Sequence, residues 1–253
     1  MSSYGYVWLF WSLAFLLAFL LVYVLSPAHR RMMRQAAFGT AIFGLTEPLF
    51  VPEYWNPPSL FELAQRTGFD IESVIFAFAI GGLGVVLYSR LAGRDPATVS
   101  AQARNPSRHR LHAIALLTPA IVFIALTPLG LNPIYPAIIA MTAGAAAAVA
   151  CRPDLLAKTL IGGLLFASFY AVFIFGLAVT VPGYIQSVWN LPGLSGVVPA
   201  GVPLEEILFG FSFGLLWSSA YEHLTWSGSR PAHRPAPNAM LVPAHSNDPG
   251  SRR

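Results

Sequence analysis

The segment Val7–Leu25 reads VWLFWSLAFLLAFLLVYVL and contains no charged side chain. A helix needs about 20 apolar residues to cross a bilayer, so this run is long enough for one crossing. It is too long for the core of a signal peptide. No basic residue precedes it and no small-residue cleavage site follows, so it is expected to persist as a span. Six further apolar runs lie at about Gln35–Val51, Ile71–Leu91, Leu111–Leu129, Pro133–Cys151, Thr159–Val181 and Val202–Leu224. Only helices and closed barrels satisfy the backbone inside lipid. Barrel strands alternate in polarity, whereas these runs are continuously apolar. The expected fold class is therefore an all-α polytopic membrane bundle of seven helices.

Composition agrees. Of 253 residues, 55% are hydrophobic and 10% are charged, against about 25% charged in a typical soluble domain. Mean hydropathy is +0.60. A water-soluble globular domain and a disordered chain are both excluded on this balance. Cys151 is the single cysteine, so neither an intramolecular disulfide nor a cysteine zinc cluster can form. The formal charge of +4 comes almost wholly from arginine, since Lys158 is the only lysine.

Arginine and lysine set orientation. Arg30, Arg31 and Arg34 follow the first run. Arg90, Arg94, Arg104, Arg108 and Arg110 separate the third from the fourth, and Arg152 and Lys158 separate the fifth from the sixth. Arg230, Arg234, Arg252 and Arg253 follow the seventh. Seven crossings put all of these on one side and leave only Arg66 on the other. This predicts an N-terminus outside and a C-terminus in the cytoplasm. Residues 1–228 are expected to form the membrane domain, and residues 229–253, rich in Pro, Ser and Asn, a disordered cytoplasmic tail.

An internal repeat is visible at an offset of about 133. Trp55-Asn56-Pro57-Pro58 matches Trp189-Asn190-Leu191-Pro192, and Thr46-Glu47-Pro48 matches Thr180-Val181-Pro182. Ile71-Glu72-Ser73-Val74-Ile75-Phe76 matches Leu204-Glu205-Glu206-Ile207-Leu208-Phe209, while Phe78 and Tyr88 match Phe211 and Tyr221. Repeat 1 (about 7–91) and repeat 2 (about 133–224) then flank a linker helix at about 111–129. The offset of four helices makes the two copies parallel. Paired repeats commonly place a site at their interface.

Four carboxylates fall in or at the ends of these runs: Glu47, Glu72, Glu205 and Glu206, with Asp70 just outside. An ionisable group at bilayer depth costs about 2.5–3.5 kcal/mol on insertion scales, so it normally faces the bundle interior and has a task. Glu47 comes late in an outward-running helix, and Glu72 and Glu205 come early in inward-running ones. All should lie at similar depth, near the loops that carry Trp55 and Trp189. Two close carboxyls cannot both ionise cheaply in an apolar pocket. A pair such as Glu205 and Glu72 is therefore suited to share a proton and to act as general acid and base. The structural alternative is that a Glu at a helix start caps free N–H groups, and that Glu47 makes an interhelical hydrogen bond.

Phe209, Phe213 and Trp217 trail the second pair of acids at helical spacing, and Phe76 lies one turn after Glu72. Aromatic faces stabilise cations, so acids beside aromatic rings suit carbocation chemistry. Ordinary helix packing accounts for any single Phe equally well. Tyr88, Tyr221 and Trp226 lie near the cytoplasmic boundary, where an interfacial belt is expected. Gly210 and Gly214 form a small-xxx-small pair that implies close helix packing.

No G-x-G-x-x-G or Walker loop and no H-E-x-x-H motif is present. His112 and His223 fall at expected cytoplasmic ends, with His109 nearby, and His29, His233 and His245 lie in loops or tail. No metal site and no cofactor follow from this spacing. A retinal protein needs a lysine in its last span, and Lys158 is elsewhere. Asp-rich motifs that hold magnesium diphosphate are also missing.

The stretch Pro203-Leu204-Glu205-Glu206-Ile207-Leu208-Phe209 resembles the Pro-x-Glu-Glu-x-x-Phe signature of the integral-membrane lycopene cyclases. The resemblance is to the fused form of the two-subunit carotenoid cyclase type, whose two triple-helix halves correspond to the repeat above. It covers most of residues 1–225 and is stronger in the second half. It implies proton-initiated isomerisation of a linear carotenoid end group such as that of lycopene. An acid protonates the terminal double bond, the cation closes, and a base removes a proton. Carried over residue by residue, Glu205 and Glu206 match the motif acids of the second half, and Glu72 one acid of the first. Glu205 is then the preferred acid, with Glu72 and Glu206 as partner or base. The first half departs from the pattern: Phe69-Asp70-Ile71-Glu72-Ser73 lacks the proline and has Ser73 where a second acid stands.

The resemblance implies a hydrophobic isoprenoid substrate and a lipid environment, with no nucleic acid. Protein partners left open are a second copy of the chain or other carotenoid-pathway enzymes. A non-catalytic carotenoid or lipid carrier, or an assembly subunit, is the alternative. An intramembrane protease is disfavoured, because Phe209 stands where its motif needs arginine and two buried His ligands are absent.

Overall fold

The computed structural model describes residues 4–99 and 111–232. Its α-helices are α1 (Val7–Leu25), α2 (Arg30–Ala41), α3 (Leu63–Thr67), α4 (Ile71–Gly84) and α5 (Leu87–Leu91). They continue as α6 (His112–Leu126), α7 (Ile134–Cys151), α8 (Leu156–Thr180), α9 (Tyr184–Val188) and α10 (Leu204–Thr225). Each of the seven apolar runs is largely helical. Among the described residues, five helical stretches are long and apolar enough to cross a membrane: Val7–Leu25, Ile71–Leu91, His112–Leu129, Ile134–Cys151 and Pro153–Thr180.

The second and seventh runs are not among these five. In the second, α2 ends at Ala41 and the chain continues as 3₁₀ turns over Ile42–Leu49, with Pro48 inside. Proline lacks the N–H that an α-helix interior requires, and a tighter 3₁₀ path carries the chain past it. In the seventh, α10 has 22 residues, but Glu205, Glu206, Glu222 and three serines dilute its apolar character.

The helices pack through small residues. The most extensive contact is between α8 and α10. A Cβ on Gly214 would stand 2.6 Å from Cβ of Phe166 and 3.0 Å from Cα of Gly163, and Gly210 lies under the ring of Tyr170. Lipid offers no hydrophobic driving force between helices, so close backbone approach and van der Waals contact supply the association. Leu17, Leu21, Ile114, Ile121, Ile124, Val172 and Val179 point outward and are exposed. Such a contiguous apolar exterior identifies a surface that contacts lipid. Inside, Phe15, Phe19, Leu83, Phe166, Tyr184 and Phe213 form one continuous core.

One element departs from the all-α expectation. Strands β1 (Arg94–Thr98) and β2 (Ser227–Pro231) pair antiparallel, with Arg94 opposite Pro231 and Thr98 opposite Ser227. The first residues assigned to a disordered tail therefore belong to this ladder. Trp226 ends α10 in the left-handed region (φ 52°) and turns the chain back, so β2 can satisfy its backbone on the segment after α5. Ala232 N–H also donates to Gly93 O. The rest of the expected tail, with Arg234, Arg252, Arg253, His233 and His245, lies outside the described residues, as do Arg104, Arg108, Arg110 and His109.

Candidate functional site

The helices bring their chemistry together at one end of the bundle. The N-terminus of α1, the 3₁₀ end of the second run and the starts of α4, α7 and α10 all meet there. Glu206 sits in the first turn of α10, after Pro203, and is 3% exposed. Its Oε1 accepts Trp189 Nε1–H at 2.8 Å and the hydroxyl of Tyr54, and its Oε2 accepts the hydroxyl of Tyr170 at 2.5 Å. Burial first, and then the neighbouring Glu206 carboxylate, push the Tyr54 hydroxyl well above its usual range, so it stays a donor.

Glu47, 9% exposed, lies in the last turn of the 3₁₀ stretch. Its Oε1 accepts Trp55 Nε1–H at 2.5 Å. Each half therefore uses the tryptophan of its Trp-Asn pair to hold one acid. The two rings lie 5.3 Å apart, and their backbones form a reciprocal antiparallel bridge. Asn56 N–H donates to Val188 O at 2.8 Å and Asn190 N–H to Tyr54 O at 2.9 Å. Trp8 meets Trp55 edge-on at 4.7 Å and donates Nε1–H to Asp70 Oδ1 at 3.3 Å. Asp70 caps α4, accepting from Ser73 N–H (2.5 Å) and Ser73 Oγ (3.1 Å). Burial holds its carboxyl above the usual range, against the opposing pull of these Ser73 bonds.

Glu72 and Glu205 behave differently from the expected facing pair. Glu72 Oε1 accepts Leu60 N–H at 2.8 Å. Glu205 Oε1 accepts Ser195 N–H at 2.8 Å and the Tyr135 hydroxyl at 2.7 Å. Each ties down the loop that precedes its own helix, and the second carboxylate oxygen of each is buried without a partner. The side chains turn to these loop amides because helix starts lie beside the chain entering them, and free N–H groups there attract carboxylates.

An apolar cavity of about 640 Å³ opens below the acids. Glu47 and Glu206 line it, together with Trp55, Trp189, Phe76, Phe209, Phe213 and Trp217. Glu72 and Glu205 do not. Phe213 and Trp217 stack at 4.6 Å, and Trp217 Nε1–H donates to Thr40 Oγ1 at 2.6 Å. The lining continues along α10 to His223 and Leu224. At about 1.5 Å rise per residue, Glu206 and His223 are separated by about 25 Å along the helix.

Tyr54, Tyr170, Trp8 and Tyr135 complete the site and were not singled out from the sequence. Tyr170 carried a faint signal as a hydroxyl in the middle of an apolar run, and Tyr54 as the neighbour of a repeated tryptophan. At the opposite end, Lys158 pairs with the Glu222 carboxylate in a buried ion pair, and Arg152 pairs with Asp154 at 2.6 Å. Trp226 is buried there beneath the Arg152 guanidinium rather than placed in an exposed belt. His112, Cys151 and His223, dispersed in sequence, are brought together at this end, with one possible ligand atom from each within 4.8 Å of the others.

The family model described as lycopene cyclase matches residues 132–224, which run from just before α7 to the penultimate residue of α10. Comparison with curated proteins and with solved structures gives no match. The matched region supplies Glu205, Glu206, Tyr170, Trp189, Phe209, Phe213 and Trp217. Its half of the acid site therefore carries the likeness: over residues 132–224 this chain is similar to the lycopene cyclases.

Proposed function

We propose that the chain is a membrane carotenoid cyclase in which Glu47 and Glu206, rather than Glu205 and Glu72, perform the proton transfers. The family likeness supports a carotenoid cyclase role in general. The single observation that carries the finer reading is the head of the cavity. Two buried carboxylates, each held by its own tryptophan, close an apolar channel about 25 Å long. A linear polyene enters such a channel with one end at the acids.

Glu206 accepts hydrogen bonds from Tyr54, Tyr170 and Trp189, which fix its carboxyl at the head of the cavity, and it is assigned the role of base. Glu47 accepts from Trp55 and is assigned the role of acid. Glu47 delivers its proton to the terminal double bond. The resulting cation is attacked by a neighbouring double bond, which forms the ring bond. Glu206 then removes a proton from the ring carbon skeleton, regenerating a double bond. Atoms and electrons balance without a redox partner, and the product is an isomer of the substrate. Aromatic faces of Trp55, Trp189, Phe76 and Phe209 stabilise the cation. Glu72 and Glu205 act as positioning residues through Leu60 and Ser195.

The reading includes seven crossings in two parallel three-helix repeats, with the acid end outside and the C-terminus in the cytoplasm. It is supported by the reciprocal Trp55–Trp189 bridge and by the matched loop-tying roles of Glu72 and Glu205. Arg30, Arg94, Arg152 and Lys158 gather at the opposite end. Expression in a lycopene-accumulating host tests the function. Ring-bearing carotenoids are expected from the parent, and unchanged linear pigment beside well-inserted protein would sink it. Retention of linear pigment by Glu206→Gln without ring products distinguishes an enzyme from a carrier. Reporter fusions after Ala92 and after Phe61 test the orientation, and an external position for the former overturns it.

A further inference from the structure

The end of the bundle opposite the acids holds a second cluster that carotenoid chemistry does not use. His112 opens α6, Cys151 closes α7, and His223 lies in the last turn of α10. His112 Nδ1 stands 3.8 Å from Cys151 Sγ, and the two imidazole rings are 4.6 Å apart at 73°. One ligating atom from each of the three falls within 4.8 Å of the others. Cys151 and His223 are buried and His112 is half-buried, which leaves an approach from its side. The Nε2 atom of His223 is buried without a hydrogen-bond partner. Leaving a buried polar atom unsatisfied is costly, so it calls for a ligand or an explanation.

From this geometry we infer that His112, Cys151 and His223 form a binding site for a borderline transition-metal cation of the zinc(II) class. One sulfur and two imidazole nitrogens suit such an ion and not magnesium or calcium, which take oxygen ligands. Three protein ligands leave a fourth position for water. Ligand atoms on a tetrahedron of about 2.0–2.3 Å radius lie about 3.5 Å apart, so a contraction of roughly 1 Å closes the cluster on the ion. Charge does not oppose this. The nearby Arg152 is paired with Asp154, and Lys158 with Glu222. On loading, the metal–sulfur bond replaces the S–H bond and the proton leaves to solvent, while both imidazoles bind neutral. The ion ties α6, α7 and α10 together at the far end of the cavity.

The test is titration of full-length, untagged protein in detergent with cobalt(II), followed by zinc(II). Saturation at about one equivalent is expected, with a thiolate-to-cobalt absorption band that zinc removes and with release of about one proton per ion. Zinc is also expected to protect Cys151 from thiol alkylation and to raise the melting temperature. Cys151→Ser should lose the band. His223→Ala should weaken binding by more than the roughly 10- to 100-fold that follows loss of an outer-shell partner. Absence of a saturable spectrum in the parent, failure of zinc to slow alkylation, or an unchanged spectrum in Cys151→Ser overturns the site. None of these readouts depends on cyclase activity, so failure here and failure of the carotenoid reading are separable.

Discussion

The two halves of the bundle carry the same parts in different arrangements. In the second half, adjacent residues of one helix divide the work: Glu205 ties the preceding loop and Glu206 faces the cavity. In the first half the matching positions are Glu72 and Ser73. Glu72 ties its loop as Glu205 does, but Ser73 bonds back to Asp70. The cavity acid of this half comes from another element, as Glu47 at the end of the 3₁₀ stretch. The tryptophans are what the two regions share, because Trp55 and Trp189 each hold an acid although those acids occupy different positions relative to them in the sequence. An acid held by a tryptophan thus stands on both sides of the site, although the two acids come from different kinds of element. The donors differ as well: no tyrosine hydroxyl accompanies Trp55 on Glu47, whereas Tyr54 and Tyr170 join Trp189 on Glu206.

The strongest challenge to this comparison is removal of the cavity acids. Glu206→Gln and Glu47→Gln are each expected to lower cyclisation by about 10²- to 10⁴-fold, the usual contribution of a positioned acid or base. Product chromatography against protein level in isolated membranes measures this. Retention of more than about a third of parental turnover by either variant removes it from the proton-transfer scheme. A smaller effect separates the loop-tying acids. Glu205→Gln and Glu72→Gln should destabilise the protein by about 1–3 kcal/mol each, since a charged acceptor for a backbone amide is lost. Thermal unfolding in detergent should register that loss, while turnover per folded molecule falls less than about tenfold. A collapse of turnover with unchanged melting would return Glu205 or Glu72 to the chemistry.

The tryptophans sharpen the asymmetry further. Trp55→Phe removes the tryptophan donor of Glu47, whereas Trp189→Phe removes one of three from Glu206. At about 0.5–1.5 kcal/mol per hydrogen bond, either change alters the rate by about two- to tenfold, with the larger loss at Trp55. Equal losses would mean that the two acids are held equivalently after all. Tyr54→Phe is expected to have the smallest effect of the series, because Tyr170 and Trp189 remain on Glu206. A loss larger than that of Trp55→Phe would show that the Tyr54 hydroxyl has a role of its own.

Much of this was legible in the chain itself. Apolar runs such as Val7–Leu25 and Pro133–Cys151 report helices directly, because lipid leaves a backbone no other local solution. The start of α10 is marked by Pro203 ahead of two glutamates, and Gly210 and Gly214 announce the close seat of α8. The repeat also pointed to Trp55 and Trp189, since a polar indole beside an asparagine is conspicuous between apolar segments. The interruption of the second run was half-visible in Pro48. The strand pairing of Arg94–Thr98 with Ser227–Pro231 was not visible, because a short polar ladder has no periodicity to set it apart from a loop.

Side-chain direction could not be read from position along the chain. Glu205 and Glu206 differ by one residue, which is about 100° around a helix. Which of the two enters the cavity depends on where the neighbouring helices stand. Likewise, the meeting of Tyr54 and Tyr170 on one carboxylate, and of His112, Cys151 and His223 at the far end, joins residues from separate helices. Helix identity is a local property, dictated by the solvent each segment must satisfy. Which acids share a cavity is a property of three-dimensional packing, and only the tertiary structure placed Glu47 and Glu206, each held by its own tryptophan, on the same apolar cavity.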